Sequence, residues 1–151
     1  MIINIIDQQK DLKINAGQVR RLVQNVISLE GQKCDEVNIY FVDIPSISSL
    51  HAQFFDDPSP TDCISFPIDV EETYYRILGE VFVCPAIAKA YAQEHKEKPG
   101  EEVSLYIVHG LLHLMGYDDI EDEEIDKMRK AEQRHIEDLK SKKLIEGVLK
   151  V

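Results

Sequence analysis

His109-Gly110-Leu111-Leu112-His113-Leu114-Met115-Gly116-Tyr117-Asp118-Asp119 sets two imidazoles four residues apart, upstream of a glycine and a carboxylate. The residues leading into it are apolar on more than one side. Val103, Ile107, Leu111 and Leu114 share one face of a helix, and Leu105, Val108 and Leu112 another. A helix apolar nearly all round is buried, so this one is expected inside the fold, running to about Met115. His109 and His113 then project from one face, one turn apart. Gly116 tolerates positive φ and ends the helix in a sharp turn. That turn brings Asp119, six residues past His113, back as a third ligand. Burying polar groups without partners is costly, so two imidazoles on such a helix need a reason. Two hydrogen-bonded core histidines are one account. A metal ion held by His109, His113 and Asp119 is the stronger one, because the glycine and the carboxylate sit at the offsets it requires. Three protein ligands leave positions open, which marks a catalytic site rather than a closed structural one.

The spacing reads His-x-x-x-His-x-x-Gly-x-x-Asp. It follows the extended zinc-protease pattern, with Gly110 where those enzymes keep a glutamate general base. Without that base, peptide hydrolysis has no proton acceptor in the motif, and a peptidase is disfavoured.

The rest of the chain supplies a sheet and its helices. Ile2 to Ile6 reads as a strand. Asn15 caps a helix to about Glu30, with Val19, Leu22, Val23, Val26 and Ile27 on one stripe, and Gly31 as its left-handed stop. Val37, Ile39 and Phe41 alternate with Asn38, Tyr40 and Val42 in a second strand. Pro45 opens a short helix carrying Ile47, Leu50 and Phe54. Asp56 to Pro60 is a loop. Cys63 to Phe66 is a brief strand ending at Pro67, and 68–75 an acidic hairpin loop. Ile77 to Cys84 is a strand, with Gly79 a bulge or a point of close approach. Pro85 opens a helix to about Glu94, and Lys96 to Gly100 connects onward. Glu101 and Glu102 favour the positive end of the histidine-bearing helix. A last helix begins near Glu121 and passes Leu139, with Ile125, Met128, Ile136 and Leu139 inward. Four short strands mixed with about five helices give one α/β (α+β) domain over residues 1–151.

At 151 residues and 44% apolar composition the chain can carry a real core. Its net charge of −11 argues against sequence-blind attraction to nucleic acid or an anionic membrane. The charge is uneven: Asp118 to Asp126 carries −7 and residues 127–151 carry +4. That basic final stretch offers either a phosphate-facing surface or a solvated helix face. No apolar run approaches the roughly 20 residues of a membrane span. The first residues lack a basic region and a cleavage site, so no signal peptide is expected. Cys34, Cys63 and Cys84 read as reduced thiols of a cytoplasmic protein and as small buried hydrophobes.

His-Gly-Leu-Leu-His-Leu-Met-Gly-Tyr-Asp resembles the signature of the YbeY family of bacterial rRNA-maturation factors, which are metal-dependent single-strand endoribonucleases. Leu50 to Pro67, with Pro60-Thr61-Asp62-Cys63-Ile64-Ser65-Phe66-Pro67, resembles the family's second block. Gly79-Glu80-Val81-Phe82-Val83 resembles its third. The resemblance implies a zincin-like fold: a central mixed sheet of about four strands flanked by about five helices, with the metal in a cleft. It implies cleavage of single-stranded RNA, maturation of the 3′ end of small-subunit rRNA and ribosome quality control. The partners it implies are single-stranded rRNA and the small ribosomal subunit, with no membrane and no DNA.

Two departures stand out. Asp119 occupies the place of the family's third histidine. Carboxylates ligate zinc well, and one Zn2+ per chain is the first expectation, although this ligand set also admits harder divalent ions. Phe55 stands where the family has an arginine suited to phosphate; it can stack on a base instead. Arg76 is a candidate replacement cation, with a surface role favoured. The resemblance implies that Thr61, Asp62 and Ser65 line the substrate cleft with Phe55, while Thr61 and Asp62 read equally well as turn residues after Pro60. Asp118 either orients a ligating histidine from behind or caps the final helix. Asp62 and Glu80 are the candidates for an otherwise unassigned general base. His51 and His95 read as surface or edge positions, and His135 as a helix residue with no required function. The alternative from another class is a non-catalytic ribosome-assembly or RNA-binding factor with a structural metal.

Overall fold

Alternation along strand β2 (Glu36–Val42) gives the sheet its two faces. Val37, Ile39 and Phe41 are fully buried on one side, while Asn38 and Tyr40 point to the other. The structure is a computed structural model that describes residues 1–68 and 74–150. In it β2 lies between β1 (Ile2–Gln8) and β4 (Ile77–Val83), parallel to both. Strand β3 (Cys63–Pro67) closes the far edge antiparallel to β4, giving the order β1-β2-β4-β3. Five helices accompany this mixed sheet: α1 (Ala16–Leu29), α2 (Ile44–Phe55), α3 (Pro85–His95), α4 (Pro99–Leu114) and α5 (Asp122–Ser141). The expected α/β architecture is therefore present.

Local chemistry sets the helix ends. The Asn15 side chain accepts from the Gln18 amide, and the Asp43 side chain from the Ser46 amide, each satisfying an orphan donor. Helices α1 and α4 share one core with Val37, Ile39 and Val81. Helix α2 covers part of the opposite face, where Ile47 packs with Val42, Ile64 and Cys84. Some boundaries differ from expectation. Helix α4 starts at Pro99, inside the expected connector, because proline lacks the amide that the first turn leaves unpaired. Strand β1 runs on to Gln8, paired with Val42 at the end of β2. Of the apolar residues on α2, Ile47 is fully buried while Phe54 is 55% exposed. The hairpin loop expected over 68–75 falls largely on residues 69–73, outside the described residues. Among the described residues no helix is long and apolar enough to cross a membrane.

Gly79 is both the bulge and the close approach. The β2–β4 register shifts beside it, and its φ is +151°. A Cβ there would lie 2.5 Å from the Phe66 carbonyl oxygen and 2.7 Å from Leu114. The glycine thus lets α4 sit down on the sheet.

His135 is fully buried in α5, which its mid-helix position did not reveal. Its Nε2 lies 3.2 Å from Glu30, and Arg134 reaches the same carboxylate oxygen at 3.3 Å. Burial would raise the Glu30 carboxyl pKa, but hydrogen bonds from Tyr117 and His135 and the charge of Arg134 hold it below the usual range. This cluster ties the end of α1 to α5 and to the turn after α4. Glu30→Ala should lower stability by about 1–3 kcal/mol, measured by urea unfolding, since it strands a buried imidazole. A carboxyl pKa depressed by folding contributes stability at neutral pH and loses it as pH falls through the folded value. The difference between parent and variant should therefore shrink on acidification.

Candidate metal centre

Helix α4 ends in a Schellman turn. The Gly116 amide donates to the His113 carbonyl (3.1 Å) and the Tyr117 amide to the Leu112 carbonyl (3.0 Å), with Gly116 at φ +100°. The chain reverses there, and Asp119 comes back to face the two histidines. The Nε2 atoms of His109 and His113 are 3.1 Å apart. Asp119 Oδ2 lies 3.6 Å from the first and 3.3 Å from the second. An ion holding tetrahedral ligands at about 2.0–2.1 Å separates them by roughly 3.3–3.4 Å. The three donor atoms fit such an ion, and the cluster could hold a metal. Cys63 lines the same cleft, but burial pushes its thiol pKa up and keeps it from competing as a thiolate.

The group behind His109 is Glu132, not Asp118. Glu132 Oε2, on α5, lies 2.9 Å from His109 Nδ1. A carboxylate only accepts, so Nδ1 carries the hydrogen and Nε2 is left free to ligate. Burial pushes the His109 pKa down, but the hydrogen bond and charge of Glu132, with the charges of Asp119 and Asp62, outweigh it and hold the ring above its ordinary value. The sequence did carry a signal: Glu132 sits one turn past Met128 on the inner stripe of α5, where a carboxylate needs a partner. Glu132→Gln should weaken zinc binding by about 10–100-fold, measured by competition with a chromogenic chelator. Asp118 lines the cleft and caps nothing. Its Oδ1 accepts the Asp119 amide at 2.8 Å and stiffens the turn, while Glu121 takes the cap position of α5.

The cleft around the triad has a volume of about 610 Å³. Phe55, Thr61, Asp62 and Ser65 all line it, as expected. Phe55 is 55% exposed and free to meet a ligand. Ser65 is committed: its hydroxyl donates to the Gly110 carbonyl at 3.0 Å and seats α4 on β3. Glu80 is not in the cleft. Val81 faces α4, so the two-residue period of β4 turns Glu80 to the opposite face, beside Tyr40. From there it cannot serve the cleft as a base. Arg76 is exposed and lies outside the cleft, matching its surface reading. His51, expected at the surface or an edge, is half-buried and lines the cleft from α2. His95 is at the surface, stacked on Tyr91.

Gly110 has a steric explanation. A Cβ there would lie 2.5 Å from Val81 Cγ1 and 2.9 Å from Cys63 Sγ. The position that carries a glutamate in zinc proteases is pressed against the sheet here. The basic final stretch is also explained. Lys130, Arg134, Lys140 and Lys142 pair with Asp126, Glu30, Glu101 and Asp138. Four of the eight Lys and Arg in residues 127–151 are thus ion-paired, and that half is not a free phosphate-binding surface.

The profile of the family described as Endoribonuclease YbeY matches residues 4–140, which include the whole triad and Glu132. The chain belongs to the YbeY endoribonuclease family. The Endoribonuclease YbeY of Protochlamydia amoebophila is 52% identical over 145 residues, covering 95% of this chain and 97% of that one. That of Chlamydia trachomatis serovar D is 38% identical over 131 residues, covering 85% and 81%. The solution structure of TM1509 from Thermotoga maritima aligns with a TM-score of 0.66 and 28% identity, covering 93% of this chain and 91% of that one. YbeY membership thus spans the sheet, the cleft and both histidines.

Proposed function

We propose that this protein is a metal-dependent endoribonuclease that cuts single-stranded RNA and matures the 3′ end of small-subunit rRNA. The observation that carries the reading is the His109–His113–Asp119 cluster at zinc-like spacing on the floor of an open cleft, in a chain of the YbeY family. His109, His113 and Asp119 would hold the ion, with zinc the first assignment. A bound divalent ion of this kind supplies Lewis acidity to a phosphate oxygen and lowers the pKa of a water. The protein's own groups do the rest. Glu132 fixes the His109 ring. Asp118 stiffens the turn that carries Asp119. Phe55 offers an exposed ring for a nucleobase to stack on, where a cation would otherwise meet phosphate.

Among the described residues no Lys or Arg lines the cleft. Affinity for free RNA is accordingly weak and only shallowly salt-dependent, with the small ribosomal subunit supplying the context for binding. The same reading places the protein in the cytoplasm, where its three free cysteines stay reduced.

The test is incubation of purified protein with a single-stranded oligoribonucleotide and its duplex, with and without chelator. Chelator-sensitive cleavage confined to the single strand supports the proposal. A folded protein with tightly held metal and no turnover would return the non-catalytic assembly reading.

A further inference from the structure

The reaction proposed above needs a group to accept a proton, and α2 supplies one. His51 lines the cleft that holds the triad, with 20% of its side chain exposed. Its Nδ1 lies 2.9 Å from the Ser59 carbonyl oxygen. A carbonyl only accepts, so Nδ1 carries the hydrogen and the neutral ring keeps its lone pair on Nε2. Nε2 has no hydrogen-bond partner among the described residues. Two neighbours reinforce that hold. Phe55 packs on it with centroids 5.5 Å apart, and Asp57 Oδ2 approaches Nδ1 at 4.0 Å. Asp57 is itself anchored by the amide and hydroxyl of Ser59, at 2.9 and 2.6 Å. A hydrogen-bonded loop therefore presents one tautomer of one imidazole to the cleft.

The other lining groups are less suited. The Ser65 hydroxyl is bonded to Gly110, and the Cys63 thiol is held protonated by burial. Asp62 lines the cleft too, but among the described residues no hydrogen bond orients its carboxylate.

We infer that His51 is the general base of this site. This rests on the endoribonuclease reading. The oxygen of an attacking water bonds to phosphorus while its proton passes to His51 Nε2, giving an imidazolium. The phosphorus–oxygen bond to the leaving nucleotide breaks, and the electron pair goes with the leaving oxygen. That oxygen takes a proton from solvent, and the imidazolium returns its own. One water is added across one phosphodiester.

Two variants test the inference in the zinc-loaded, full-length protein with a single-stranded oligoribonucleotide. His51→Asn keeps an amide donor for the Ser59 carbonyl but removes Nε2. Its kcat should fall by about a hundredfold or more, with KM within about threefold of the parent. Zinc content and melting temperature should match the parent. His51→Ala leaves space for a small base. Added imidazole should raise its rate by about tenfold relative to the parent in the same buffer. The inference is overturned if His51→Asn keeps a kcat within about threefold of the parent, if the loss lies in KM alone, or if imidazole fails to restore His51→Ala. A parent that cleaves regardless of chelator overturns the metal reading only, and the variant-to-parent ratio still decides His51. A parent that cleaves no RNA overturns both.

Discussion

Replacing His113 with alanine should leave a folded protein that no longer retains an ion in the cleft and cuts single-stranded RNA about a thousandfold more slowly. The size follows from what a bound ion contributes. Charge stabilisation by a catalytic metal is worth several kcal/mol, and each 1.36 kcal/mol is tenfold in rate, so about 4 kcal/mol corresponds to about a thousandfold. The fold should tolerate the change. His113 lies at the end of α4 with 26% of its side chain exposed, and among the described residues its polar contacts are to the other two cluster residues. The variant leaves two ligands, His109 and Asp119, too few for a closed grip on zinc. Elemental analysis of the purified variant, a melting curve and cleavage rates together check the prediction. Cleavage that survives both His113→Ala and chelation would mean that the activity belongs to a contaminant.

Gly110→Glu should fail to create a peptidase and should lower the melting temperature by about 10 °C or more. The substitution rebuilds the His-Glu-x-x-His sequence of zinc proteases, so the sequence pattern alone would forecast a gain of function. The packing forecasts the opposite. The first atom of the new side chain would already lie 2.5 Å from Val81 and 2.9 Å from Cys63, both on the sheet beneath α4. Overpacking a core by even a methyl group costs about 1–3 kcal/mol, and a buried carboxylate without a partner adds to that. For a chain of this length each kcal/mol moves the melting temperature by about 2–4 °C. Thermal unfolding and a casein assay check both halves. A variant that melts with the parent would show that α4 can lift off the sheet.

The two cases divide along a physical line. His109 and His113 were legible because helical spacing places residues four apart on one face whatever surrounds them. Asp119 was legible because Gly116 makes a local turn of known geometry, and the observed Schellman motif is that turn. Gly79 was legible because a glycine inside a strand pattern marks a bulge or a close approach whichever neighbour makes it. Chemistry that depends on a neighbour distant in sequence was not. Glu132 reaches His109 across 23 residues, by the packing of α5 on α4. The inner stripe of α5 hinted at a buried carboxylate, but no spacing rule names its partner.

Tertiary packing also reassigned residues that local reading had placed plausibly. Glu80 belongs to a strand of clear alternation, yet only the seating of Val81 against α4 shows that Glu80 faces away from the cleft. His51 stood on a short helix with no partner in view until the loop at Ser59 folded over it. Arg134 and Lys140 of the basic final stretch found their partners only when Glu30, at the end of α1, and Glu101, on α4, were brought beside them. The metal triad was thus written into eleven consecutive residues, because backbone geometry over a turn or two is nearly independent of context. The ring that Glu132 orients, the face that Glu80 takes and the place of His51 were decided by which surfaces met when α2, α4 and α5 closed on the sheet.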